Sequence, residues 1–146
     1  MLVIIIQLIL PIGQNLKKTL LLLLIFTISL FGELSNEYPS QKILDSKIPI
    51  VDIRTPGEWK ETGLAKDAIP IMFFDERGSY DIKVFLEELN KKVDTKKPFA
   101  IICRTGSRTK IVGDFLSKEM GYDVLNLQGG MIFLKANNLP IVPYGK

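Results

Sequence analysis

Apolar and polar positions divide the chain into a leader and a patterned remainder. Thr19 to Phe31 reads TLLLLLIFTISLF; it follows Lys17-Lys18 and gives way to the polar stretch 33–41. A short basic region, an apolar run of this length and a polar exit form the pattern of a secretory signal. The run is short for a bilayer span, which takes about 20 apolar residues. Cleavage after Gly32 or Ser35 is the expectation, and an uncleaved membrane anchor is the alternative. A second apolar block, Met1 to Ile12, precedes the run, and Pro11 and Gly13 break it from the rest. Two such blocks are unusual in one leader. The expected translation start is therefore Leu16, against a helical hairpin or long anchor built from both blocks. The chain thus reads as a signal or anchor segment over 1–35 and one domain over 36–146, exported and periplasmic.

The remainder alternates between two periodicities. Residues 33–47 are polar, include Pro39, and read as a linker. Ile48 to Ile53 (IPIVDI) predicts a buried strand. Pro56 is placed to open a short helix through Glu58, Trp59 and Lys60. Ala68 to Phe74 predicts a second strand, with Pro70 marking a sheet edge or strand end. From Tyr80 to Val93, the residues Ile82, Phe85, Leu86, Leu89 and Val93 share one helical face. Phe99 to Ile102 is an apolar strand running directly into Cys103. Ile111, Val112, Phe115, Leu116 and Met120 predict the next helical face, and Gly121 its C-terminal cap. Asp123 to Leu127 predicts a strand, Gly129-Gly130 a turn and Met131 to Asn137 a short helix. Trp59 and Phe85 are core candidates. Strands alternating with helices make an α/β domain with a parallel sheet covered on both faces.

Composition narrows the chemistry. There is no histidine, which excludes histidine triads, histidine bases and histidine metal ligands. Cys103 is the single cysteine, so no internal disulfide and no cysteine-cluster zinc site can form. No metal and no cofactor is expected. Without Lys17 and Lys18, the 19 basic residues nearly balance the 16 acidic ones. No basic run is interleaved with aromatics, so a nucleic-acid partner is not expected.

The chemistry gathers in Cys103-Arg104-Thr105-Gly106-Ser107-Arg108, between a buried strand and an amphipathic helix. In a parallel α/β sheet, sites are built in the loops that follow the strands' C-terminal ends. The next helix presents unpaired N–H groups to the loop. Gly106 lets the backbone curl into a concave nest of such groups. The helix N-terminus, Arg104 and Arg108 favour an anionic sulfur, whether thiolate or persulfide. The arginine forks also suit a small oxyanion.

On these residues the chain resembles the rhodanese family. Cys103 to Arg108 matches that family's six-residue loop, which begins with the catalytic cysteine and here ends in arginine. Val51 to Trp59 is similar to its first signature, an Asp-x-Arg strand end followed by Pro-x-Glu and an aromatic. Leu127-Gln128-Gly129-Gly130 resembles its closing Leu-x-Gly-Gly signature. The match covers roughly residues 40–144. It implies a rhodanese-like, five-stranded parallel sheet with helices on both faces. It also implies a sulfurtransferase in which Cys103 takes sulfane sulfur from a donor such as thiosulfate or polysulfide. Cys103 becomes a persulfide and passes the sulfur to a thiol or protein acceptor. The N–H groups from Arg104 to Arg108 would hold the persulfide, and Asp52 and Arg54 would tie the strand end to neighbouring loops. Read from the residues alone, Asp52 and Arg54 could equally be an exposed pair of small value. One stretch departs from the family, which often has Gly-His-Ile-x-Gly-Ala where this chain has Gly63-Leu64-Ala65-Lys66-Asp67-Ala68.

Two other functions fit parts of the pattern. A persulfide carrier without rapid turnover would keep Cys103 and serve one protein partner. A cysteine phosphatase or arsenate reductase would need five residues between cysteine and arginine to wrap a tetrahedral anion. Here there are four, with no acid in the loop to protonate a leaving group.

Overall fold

The computed structural model describes Lys18 and residues 32–145. The signal, anchor and start-site expectations fall outside the described residues. Among the described residues, no helix is long and apolar enough to cross a membrane.

The elements in chain order are β1 (Leu34–Glu37), α1 (Gln41–Asp45), β2 (Ile50–Asp52), α2 (Pro56–Thr62), β3 (Leu64–Ala65) and β4 (Ile69–Pro70). There follow α3 (Ile82–Lys92), β5 (Phe99–Ile102), α4 (Ser107–Lys118), β6 (Val124–Leu127), α5 (Gly130–Ala136) and β7 (Ile141–Val142). The main sheet has five strands in the order β1-β6-β5-β2-β4. All its pairings are parallel. β3 and β7 form a small antiparallel pair beside it.

Period-two alternation along β5 explains why both faces of the sheet are covered. Phe99 and Ile101 enter one core with Phe85 and Leu89 of α3 and Val112 and Leu116 of α4. Ala100 and Ile102 enter the other with Ile43 of α1 and Met131 and Leu134 of α5. β5 is buried at every residue, as a central parallel strand must be. Trp59 and Phe85 are buried, as the sequence predicts.

Four readings of the sequence need correction. Residues 33–47 are no linker, because they hold β1 and α1, and β1 straddles the expected boundary between 35 and 36. β1 is an edge strand whose residues are largely exposed, so it joins the sheet through its backbone and shows no apolar signal. α1 is announced only by Ser40, whose hydroxyl accepts from the Ile43 N–H. The strand expected over Ala68 to Phe74 is regular only at Ile69–Pro70. Ile71 and Phe73 still donate their N–H groups to the Asp52 and Ile53 carbonyls, and β4 is the opposite edge. On α4, Ile111 is 66% exposed and lies off the buried stripe, which includes Thr109, Val112 and Leu116.

The departure at 63–68 is accommodated. Leu64, at the position of the family's histidine, is buried. Asp67, at the position of its second glycine, adopts φ +61. Aspartate is among the few side chains that enter the left-handed region readily.

Candidate active site

β5 delivers Cys103 to the C-terminal edge of the sheet, and α4 leads away from it. Cys103 is fully buried and is the free thiol of the chain. Its Sγ accepts the Gly106 N–H at 3.2 Å and lies 3.6 Å from Thr109 Oγ1. Gly106 caps α4 at φ +91, and a Cβ there would lie 3.0 Å from the Gly129 nitrogen. Only glycine meets both conditions. The N–H groups of Arg104, Thr105, Ser107 and Arg108 have no protein acceptor among the described residues. Thr105 and Ser107 hydroxyls touch each other at 3.0 Å.

The Gly129-Gly130 turn supports the loop from behind. The Met131 and Ile132 N–H groups donate to the Cys103 and Arg104 carbonyls at 2.9 and 3.1 Å. These bonds occupy the Cys103 and Arg104 carbonyls. Gly130 sits at φ +55, and a Cβ on it would lie 2.3 Å from the Cys103 carbonyl oxygen.

The two loop arginines have different surroundings. Arg104 is exposed and lines a cleft of about 270 Å³ together with Glu58, Glu61, Met131, Ile132 and Lys135. Arg108 is engaged by Glu58, with Nη1 to Oε2 at 2.9 Å and Nη2 to Oε1 at 2.6 Å. Burial pushes the Glu58 carboxyl up. The Arg108 and Thr55 hydrogen bonds and the charges of Arg108 and Arg54 outweigh it and hold the carboxyl below its usual value. Arg108 is raised by its bond to Glu58 against the opposing effect of burial, with a smaller contribution from the Cys103 sulfur.

Asp52 and Arg54 are a buried pair, not an exposed one. Arg54 Nη2 lies 2.7 Å from Asp52 Oδ2, and Nε donates to Oδ1 at 2.9 Å. Trp59 Nε1 donates to the same carboxylate at 3.2 Å. Arg54 also donates to Thr62 Oγ1 at 2.6 Å and to the Gly63 carbonyl at 2.7 Å. The pair therefore fastens α2, which carries Glu58, to the end of β2.

One pairing and two residues of this site escape the sequence reading. Glu58 lies fifty positions from Arg108. Its place in the Pro-x-Glu motif and the Thr55-x-x-Glu58 spacing of a capping box, which α2 has, say nothing of Arg108. Thr109 and Asn126 are buried polar residues joined at 2.6 Å. Among the described residues, no cluster of metal-ligating side chains is present.

A fixed cysteine that accepts one loop N–H, beside four more with no protein acceptor among the described residues and without an adjacent base, suits chemistry on sulfur. Comparison with known proteins agrees. The Rhodanese-like domain family matches residues 33–132. A sulfurtransferase of Allochromatium vinosum is 32% identical over 112 residues, covering 76% of this chain and 94% of that protein. A rhodanese-like domain protein from Staphylococcus aureus superposes with a TM-score of 0.51 at 28% identity, covering 69% of this chain and 88% of that one. The polysulfide-sulfur transferase homodimer of Wolinella succinogenes shares the fold, with a TM-score of 0.58 at 24% identity and coverage of 77% and 80%. The chain therefore belongs to the rhodanese-like sulfurtransferase family.

Proposed function

We propose that the protein moves sulfane sulfur from a small anionic donor, thiosulfate or polysulfide, to a nucleophilic acceptor through a persulfide on Cys103. With thiosulfate, the Cys103 thiolate attacks the sulfane sulfur. The donor's S–S bond breaks, and sulfite leaves with the electron pair. The acceptor then attacks the outer sulfur of the persulfide, and the pair of the second broken bond returns to Sγ. The observation that carries this reading is the Gly106 N–H on Sγ beneath a loop whose other N–H groups have no protein acceptor. An outer sulfur sits about 2.0 Å beyond Sγ, and as an anion it would take up those N–H groups from Arg104 to Arg108. Burial of Sγ favours donors small enough to enter the loop. A phosphatase reading has less support, because the Arg108 fork is already bound to Glu58.

The test uses the full chain, incubated with thiosulfate and weighed intact, then treated with cyanide and assayed for thiocyanate, beside Cys103→Ser. One added sulfur on the wild type alone, discharged by cyanide, is the expected result. No added sulfur from thiosulfate or polysulfide rejects the proposal. On the apolar leader at 19–31, we further place this reaction outside the cytoplasm. Recovery of the protein in the cytoplasmic fraction of its native cells would overturn that placement.

A further inference from the structure

The buried hydroxyl of Thr109 has more acceptors than protons. Its Oγ1 lies 2.6 Å from Asn126 Oδ1, 3.1 Å from the Gly106 carbonyl and 3.6 Å from Cys103 Sγ. A hydroxyl donates once. The 2.6 Å contact has the length of O–H···O, which assigns the proton to Asn126. The far side of Asn126 fixes its orientation, because its Nδ2 donates to Asn36 Oδ1 at 2.8 Å. The register places Asn126 beside Asn36 on β1 and Ile101 on β5, so the pair is held by three strands. In this arrangement the Thr109 oxygen faces the sulfur with its proton turned away.

Sulfur discharge changes the demand on that proton. The acceptor bonds to the outer sulfur, the Sγ–S bond breaks, and the electron pair lands on Sγ. A new anion forms in a fully buried place where the Gly106 N–H is the one backbone donor already aimed at it. Hydrogen bonds to ionised groups are the strong ones, and more so where water is excluded. Resting on the sulfur-transfer reading above, we propose that Thr109 is a catalytic residue. It turns its proton from Asn126 to Sγ as Cys103 becomes the leaving group. Asn126 is the positioning residue that holds the proton back until then. Loading runs in the opposite electronic sense, since Sγ starts as the anion and gives its pair away. A hydroxyl bound to Sγ would make it a weaker nucleophile.

The two half-reactions separate these effects. The full chain is loaded with thiosulfate, the rate of sulfur addition is read by intact mass, and discharge by cyanide is then timed in a single turnover. Thr109→Val should slow discharge about tenfold, the scale of one hydrogen bond to a charged group. It should spare loading, and Thr109→Ser should restore discharge. Asn126→Leu frees the proton, so it should discharge at least as fast as the wild type and load more slowly. A role in packing alone would slow both steps in both variants. Wild-type discharge in Thr109→Val, or slow discharge in Asn126→Leu, overturns the proposal. If Thr109→Val does not fold, the direction of change in Asn126→Leu decides alone. Failure of the wild type to load would reject the sulfur-transfer reading itself, a different result from unchanged discharge.

Discussion

Removing the Asp52 carboxylate should destabilise the domain far more than breaking the half-buried Glu58–Arg108 contact. Asp52 accepts from Arg54 N, Nε and Nη2 and from Trp59 Nε1. Both partners of the pair are within 1% of full burial. Asp52→Asn keeps the shape but turns an amide N–H₂ against the guanidinium. Arg54 then stays buried and charged with no anion beside it, facing only neutral acceptors: the one remaining amide oxygen at position 52, Thr62, the Glu58 carbonyl and Gly63. Breaking a buried pair by removing one partner costs about 3–5 kcal/mol. Domains of this kind have only about 5–15 kcal/mol of stability in total. The variant should therefore show a large drop in the urea midpoint with an unchanged slope.

The double variant Asp52→Leu/Arg54→Met sharpens this argument. It removes both charges but leaves the Trp59 Nε1–H and the backbone N–H of position 54 without their acceptor and the Gly63 carbonyl without its donor, at about 1–3 kcal/mol each. Its cost should fall short of the summed single costs, because neighbouring charges couple. An Asp52→Asn loss under about 1 kcal/mol would match a solvated pair and refute the reasoning from burial. Strict additivity in the double variant would refute it as well.

Two further predictions concern the supports of the loop. Glu58→Gln should cost about 1 kcal/mol at neutral pH, because the pair with Arg108 is roughly a quarter exposed. The Glu58 carboxyl is held below its usual 4.5, so its contribution is complete above that pH and is lost as pH falls through the lower folded-state value. Urea titrations should therefore show the two proteins converging in stability below about pH 4.5, and a constant gap down to strong acid would exclude this account. Gly130→Ala should slow persulfide formation about a hundredfold, since displacing the loop by about an ångström is enough for that. Gly78→Ala, at φ +82 with nothing within 4 Å of the new methyl, should lose about 1–3 kcal/mol of stability at unchanged activity. Equal activity in the two glycine variants would show that Gly130 matters only for its backbone angle.

What the sequence made legible follows from where side chains carry the information. β5 was visible because a central parallel strand must be apolar on both faces. The loop was visible because cysteine, glycine and two arginines in six positions have few structural explanations. β1 was not, because its place in the sheet rests on backbone bonds to β6, and Leu34, Ser35, Asn36 and Glu37 carry no face pattern. Ile111 misled because it keeps helical spacing with Phe115 yet points to solvent. The Glu58–Arg108, Thr109–Asn126 and Asp52–Trp59 contacts were hidden for one reason. Each joins residues on different elements, and pairing across elements leaves no trace in periodicity.

Those hidden contacts explain how three short motifs serve one sulfur atom. The first motif ends β2 in Asp52 and places Arg54 just beyond it, and the pair holds α2 in place. α2 then presents Glu58, which fixes the Arg108 fork at the far end of the loop. The closing motif turns the chain so that the Met131 and Ile132 N–H groups, directly after it, take the carbonyls at the near end. Held at both ends and curled at Gly106, the loop sets the Gly106 N–H on Cys103 Sγ and leaves its other N–H groups without a protein acceptor among the described residues. On the proposed mechanism an anion at its centre would be met by backbone donors, which carry no protons to titrate near neutral pH. On that mechanism a chain without histidine would hold reactive sulfur by geometry rather than by a side-chain base.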